Sequence, residues 1–154
     1  MPARKADPAP RVRLRDVTLE DADVLEKGPL RNERNGVLIV ERVADGAPIG
    51  TVGWHRVSYG PNPESSAWNF GIDIIPDARG QGFGGDAQRL LAAWLFEHTD
   101  AHRVEASTDV ENVAEQRALE RAGFTREGVA RGAQFRAGGH HDLVTYARLR
   151  SDPG

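Results

Sequence analysis

A change of period at one point in the chain constrains the fold more than any other feature. From Ala67 to Ile75 the sequence alternates, with Trp68, Phe70, Ile72 and Ile74 on one face, and Pro76 stops it. Gly80, Gly82, Gly84 and Gly85 then fall within six residues. From Gly85 onward the apolar residues Ala87, Leu90, Leu91, Trp94 and Leu95 recur at helical spacing. A strand is therefore expected to feed a helix through a turn made largely of backbone. Such a turn aims N–H groups and the positive end of a helix dipole at one spot, which suits a phosphate. Each glycine in a first helical turn weakens the helix by about 1 kcal/mol, so the cluster needs a reason.

The rest of the chain frames that crossover. Arg11–Arg15 alternates as a strand. Thr18 with Asp21 three residues on reads as a helix start, and Gly28 as its stop. Val37–Val43 and Ile49–Tyr59 are strand-like runs around the turn Ala44–Pro48, which predicts a hairpin. His102–Thr108 is a further strand. Asn112–Phe124 reads as a second helix, with an Asn cap, Glu115 at its third position and Gly123 at its stop. Phe124–Arg136 and His140–Leu149 follow as two more strands. The order β-α-β-β-β-α-β-α-β-β is mostly antiparallel with one helical crossover, which predicts an α+β fold. One domain is expected over residues 11–150, between tails at 1–10 and 151–154.

Composition narrows the partners. The chain has no cysteine, which removes disulfides, thiolate zinc sites and a cysteine nucleophile, and fits a cytoplasmic protein. The net charge is −3 without a basic block, so no nucleic-acid surface is expected. No apolar run approaches the roughly 18 to 20 residues of a membrane span, and no membrane partner is expected. The first ten residues lack the apolar core of a secretory signal. His140, His141 and Asp142 have the chemistry of metal ligands, but neighbours on a strand point to opposite faces. A hairpin end, and no metal, is the expectation.

Gly80 to Gly85 matches G-x-G-x-x-G, and Glu105 stands about where a dinucleotide-binding acid would. The surroundings argue against that reading. Several antiparallel strands come first, and the two helices that follow leave no room for two mononucleotide-binding halves. The other pattern is Arg/Gln-x-x-Gly-x-Gly/Ala, present as Arg79-Gly80-Gln81-Gly82-Phe83-Gly84. Together with "NVAEQRALERAGF" (112–124) and "REGVARGAQFRAGGHHDLVTYARL" (126–149), it makes the chain resemble the GNAT superfamily of N-acetyltransferases. Within that superfamily it looks most like the RimJ/RimL branch, which acetylates N-terminal α-amines of ribosomal proteins.

The resemblance covers Val12 to Leu149. It implies a single GNAT-like domain whose central, mostly antiparallel mixed sheet is flanked by helices, with acetyl-CoA as co-substrate. The loop Gly80, Gln81, Gly82, Phe83, Gly84 and Gly85 would hold the CoA diphosphate on its backbone, where glycine permits close approach. Arg79 would add a charged contact, and Phe83 would anchor the turn in the core. The strand from Ala67 would splay from the strand at His102, and backbone near Ile74 and Ile75 would pair with the pantetheine arm.

The family's acid and base do not carry over. Its strand carboxylate falls on Trp68, its helix tyrosine on Leu119, and the serine frequent in the RimJ/RimL branch on Glu115. Glu115 fits an acid or base, but also the third-position partner of Asn112 in a capping box, and the box is the preferred reading. Asp73 is the other catalytic candidate, and a solvated strand face explains it as well. Asn112 fits a helix cap, a cofactor contact or both. Arg117 fits a phosphate contact or a plain surface arginine. His55, Trp54, Trp68 and Trp94 are expected to pack. Between the first two strands one helix is evident, where the family places two over the acceptor.

The expected function is transfer of the acetyl group of acetyl-CoA to a primary amine: a protein N-terminus, an amino acid or a small molecule. Direct attack in a ternary complex is expected, because no nucleophile for a covalent intermediate is evident. The alternative is a catalytically weak acyl-CoA-binding sensor or interaction module. A homodimer is left open.

Overall fold

A computed structural model describes residues 8–21 and 35–153. Residues 1–7, most of the helix expected from Thr18 to Gly28, and Gly154 lie outside the described residues. Within them, Leu19–Asp21 form one 3-10 turn.

Seven strands make one sheet: β1 (Val12–Arg15), β2 (Asn35–Arg42), β3 (Pro48–Ser58), β4 (Ser66–Ile74), β5 (Arg103–Asp109), β6 (Thr125–Arg136) and β7 (Gly139–Leu149). Their order is β1-β2-β3-β4-β5-β7-β6. Every ladder is antiparallel except β4 with β5. Helix α1 (Phe83–His98) makes that parallel crossover, and α2 (Val113–Arg121) joins β5 to β6. This is the mixed α+β sheet that the sequence pattern implies.

Strand alternation sorts the side chains. Val12, Leu38, Val40, Val52, Trp54, Trp68, Phe70, Val104, Ala106, Val144 and Tyr146 turn to the helices, where Leu91, Leu95 and Leu119 complete one core. Trp54 packs on Trp94, and Phe70 on Phe124 just past α2. Helix α1 starts at Phe83, two residues before the apolar periodicity does, because left-handed Gly82 acts as its N-cap. It ends at Thr99, whose N–H and hydroxyl both donate to the carbonyl of Leu95. Past β7, Asp152 folds back and accepts the N–H of Leu149 at 2.9 Å, so the segment read as a tail at 151–154 is tied down at that residue. Among the described residues no helix is long and apolar enough to cross a membrane.

The β4–β5 ladder is short. Trp68 pairs with Val104 and Asn69 with Glu105, and the pairing stops there. Beyond it β4 stays on β3 as far as Ile74 opposite Gly50, while β5 stays on β7 as far as Asp109 opposite Leu143. The two strands thus part in the middle of the sheet, as the family resemblance implies.

Candidate active site

The parted strands open onto the glycine loop. Gly80 (φ +75°) and Gly82 (φ +83°) are left-handed, a conformation costly for any residue with a Cβ. Gly84 and Gly85 are different. A Cβ at Gly84 would lie 3.9 Å from Ile72 Cδ1, and one at Gly85 would lie 3.7 Å from the carbonyl of Ala118. A methyl group at either position would make only ordinary van der Waals contact, so small-residue packing alone does not demand glycine there. Phe83 is only 8% exposed and pins the loop to the core.

A residue that sequence reasoning missed braces this loop. The Arg11 guanidinium lies 4.9 Å from the Phe83 ring centroid. It donates to the Gln81 carbonyl and to the Asp86 carboxylate, both at 2.9 Å. Arg11 is 70 residues from Gln81, and no local spacing announces such a contact.

The loop, the end of β4, the first turn of α1 and one side of α2 along its length line a cleft of about 490 Å³. Of the expected site residues, it brings together Asp73, Ile74, Arg79, Gly80, Gly82, Phe83, Gly84, Gly85, Asn112 and Glu115. Ile75, Gln81 and Arg117 do not line it. The N–H of Ile75 donates to the Ile49 carbonyl on β3 at 2.8 Å, so strand alternation turns Ile72 and Ile74 toward the gap instead. The backbone that faces the gap is therefore that of Ile72 and Ile74, while that of Ile75 faces β3. Gln81 turns its side chain back to the Asp77 carbonyl at 3.3 Å. Arg117 is exposed. Ala114, Ala118 and Arg121 line the cleft as well. With Glu115 they form a helical stripe, i, i+1, i+4 and i+7, that the periodicity of α2 already contained. Arg79 donates to the Ile74 carbonyl at 2.6 Å and its Nη2 lies 3.5 Å from Asp73. Both side chains are mostly exposed at the cleft mouth.

Only half of the expected capping box exists. Asn112 Oδ1 accepts the N–H of Glu115 at 3.2 Å. The return bond is missing because the Asn112 N–H already donates to the Asp109 carbonyl at 2.9 Å. The Glu115 carboxylate instead meets the Gln88 side-chain amide on α1. Burial pushes the Glu115 carboxyl above its usual range, and donation from Gln88 opposes that shift.

The other positions fall elsewhere. Trp68 faces the helices, 7% exposed, and its indole N–H donates to Thr99 Oγ1 at 3.1 Å. Leu119 is fully buried. Glu105 is held by Tyr59, Arg103 and Asn69 rather than placed at the loop. His141 Nδ1 lies 2.8 Å from Asp109, while His140 packs edge-on against Phe135. Among the described residues no group of three His, Asp or Glu is placed to hold a metal.

Comparison with known proteins agrees with this geometry. The family described as "Acetyltransferase (GNAT) domain" matches residues 25–125. The "Putative ribosomal N-acetyltransferase YdaF" of Bacillus subtilis is 31% identical over 108 residues, which cover 70% of this chain and 57% of that protein. The chain thus spans little more than half the length of that relative. Among solved structures, Mycobacterium smegmatis RimJ in complex with CoA-disulfide superposes with a TM-score of 0.67 at 22% identity, covering 76% of this chain and 54% of that one. The spermidine/spermine N-acetyltransferase SpeG of Vibrio cholerae superposes with a TM-score of 0.76 at 19% identity, covering 92% and 94%. At these identities the structural likenesses speak for the fold.

Proposed function

The chain belongs to the GNAT acetyltransferase family, and on that footing we propose that it transfers the acetyl group of acetyl-CoA to a primary amine. The observation that carries this reading is the gap between β4 and β5, which opens directly onto the glycine loop. An extended arm laid in the gap can pair with the edge of β4 that β5 leaves, as a further strand would, with Arg79 at its Ile74 end. Its diphosphate then meets the amides at the start of α1, where the helix dipole and the absent side chains favour an anion. Arg79 and Arg121 supply positive charge in the same cleft.

The expected chemistry is direct. A neutral amine attacks the thioester carbonyl in a ternary complex, and the negative charge that develops on oxygen is stabilised by a gap-facing backbone N–H. Holding both reactants in the parted sheet supplies the orientation. As acceptor we favour an N-terminal α-amine, because the segments "LERAGFTREG" (119–128) and "HDLVTYARLR" (141–150) look most like the RimJ/RimL branch, and the Bacillus subtilis relative is described as a putative ribosomal N-acetyltransferase.

Two measurements test the reading. Acetyl-CoA at about 100 times its Kd should stabilise the protein by about 2.7 kcal/mol in melting curves, and NADH should not. Thiol release should then appear with peptides bearing free N-termini, in a panel that also holds amino acids and polyamines. A melting shift with NADH alone restores dinucleotide binding. A shift with acetyl-CoA but no thiol release with any amine leaves a binding module and sinks the enzyme.

A further inference from the structure

One acid stands in the positive end of the anion loop, and a base from near the start of the chain holds it off. The N–H groups of Phe83, Gly84 and Gly85 open α1, and by helix geometry they have no acceptor within it. Asp86 follows them and is the only acid in that first turn. A carboxylate there suits the empty helix, because it lies in the field of the positive dipole end. For the same reason it opposes an incoming diphosphate. Arg11 removes the conflict. Its Nε donates to Asp86 Oδ2 at 2.9 Å, and its Nη2 lies 2.8 Å from the same oxygen. Its Nη1 donates to the Gln81 carbonyl at 2.9 Å, and the guanidinium lies over the Phe83 ring. The Arg11 backbone is fixed as well, since its carbonyl accepts the N–H of Val43 at 2.9 Å. So held, Asp86 is turned from the ligand side: the cleft wall runs through Phe83, Gly84 and Gly85 and does not include Asp86. The two side chains are 51% and 37% exposed, and ion pairs of that kind add little stability. What this pair changes more is the charge beside the loop, from one negative charge to none.

We propose that Arg11 is a positioning residue for cofactor binding: it neutralises Asp86 and holds that carboxylate out of the cleft, which leaves the amides of the loop to the CoA diphosphate. This rests on the acetyl-transfer reading above, though on no step of its chemistry. The role is one of charge and not only of bracing. A bare carboxylate about 8 Å from a diphosphate, partly screened by solvent, weakens binding by about tenfold at low ionic strength. Loss of a brace alone has no such dependence on salt. Arg79, Arg121, Asp73 and Glu115 carry the other charges of the cleft, and they are the same whether or not Arg11 is present.

The test is a double-mutant cycle on the full chain, with acetyl-CoA affinity by calorimetry at low and high salt and melting curves alongside. Arg11→Leu leaves Asp86 bare and should weaken acetyl-CoA about tenfold at low salt, and clearly less at high salt. Asp86→Asn should bind at least as tightly as the parent. Arg11→Leu combined with Asp86→Asn restores a neutral edge, and should bring affinity back to within about twofold of the parent. That recovery would come although the contacts of Arg11 to Gln81 and Phe83 stay lost. Should the leucine not fold, Arg11→Gln gives the same comparison and can still donate to the Gln81 carbonyl. Equal, salt-independent losses in the single and double variants would mean that Arg11 only braces the loop, and would overturn the proposal while leaving acetyl-CoA binding standing. Affinity in Arg11→Leu within about twofold of the parent at low salt overturns it too. A parent that does not bind acetyl-CoA fails at the earlier reading, and the role of Arg11 goes with it.

Discussion

Where β4 and β5 part, the face carrying α1 and α2 offers gap-facing backbone at Ile72 and Ile74 and left-handed turns at Gly80 and Gly82. The opposite face offers Glu105, 3% exposed, accepting from Tyr59 at 2.7 Å, Arg103 at 2.8 Å and Asn69 at 3.3 Å. Arg103 in turn grips Glu127 with two bonds, at 2.8 and 2.6 Å. The first face is built from amides whose placement follows from a short run of chain. The second is built from side chains of β5 itself, of β4 and β6, and of Tyr59 just past β3. On the function proposed above, the contrast sets a backbone surface suited to a ligand against a side-chain cluster that ties β4, β5 and β6 together. Near β1 the same kind of tie recurs, where Arg15 bridges Asp21 and Glu41.

If that division is real, damage on one face should leave the other working. The largest effect is expected from Glu105→Ala. Removing one member of a buried ion pair typically costs about 3 to 5 kcal/mol, and here Glu127 still satisfies Arg103, so about 3 kcal/mol of stability should be lost. Calorimetry at a temperature where the variant is folded should find acetyl-CoA affinity within about twofold of the parent. A tenfold loss would mean that the Glu105 rung sets the width of the gap, and the two faces would have to be treated as one device.

Next in size is Gly82→Glu, which attacks the ligand face alone. A like charge within about 5 Å of the diphosphate, at an effective dielectric near 20, costs about 3 kcal/mol, so affinity should fall by about 100-fold. Gly82→Ala separates charge from backbone strain. Its Cβ would lie 2.9 Å from Arg11 Nη2, the movable end of a long side chain, so the left-handed φ of +83° should dominate its cost. Stability should drop by about 1 kcal/mol, with affinity reduced far less than by the glutamate. Equal losses of affinity in both variants would show that loop geometry, and not anion binding, is being measured.

The same division explains what could be read before the fold was seen. The loop, its flanking strand and both described helices were legible because period changes, glycines and an asparagine cap are local signals. The parallel β4–β5 neighbours and the short ladder between them rested on the family resemblance, since no side chain marks a strand that turns its amides to an empty gap. Arg11 and the Glu105 cluster were not legible. Their partners lie 70 and 46 residues away, and spacing carries no information at that range. The capping box at Glu115 was legible only by half, for a subtler reason. The pattern Asn-x-x-Glu is a sound capping signal, but the turn Asp109–Asn112 had already used the N–H that the glutamate needed. A competing backbone acceptor three residues upstream cannot be seen in the motif itself.

The smallest effect tests a residue that sits at the border of the two materials. Asn112 is a side chain, yet what it does in the structure is serve backbone, accepting the Glu115 N–H at 3.2 Å while facing the cleft. If capping is its main work, Asn112→Ala should lower stability by about 1 kcal/mol, and Asn112→Asp, an equally good cap, should restore it. Aspartate also brings a negative charge to the rim of an anion site. Because Asn112 is exposed, solvent and salt screen that charge, so acetyl-CoA affinity should weaken only about threefold, and less at high ionic strength. Alanine should leave affinity within about twofold. Melting curves and calorimetry on the two variants at low and high salt check all four expectations. A Tm unchanged in Asn112→Ala together with a tenfold loss of acetyl-CoA binding would reverse the order of its roles. The asparagine would then be a ligand contact that happens to stand at a helix start, and the ligand face would no longer be a matter of backbone alone.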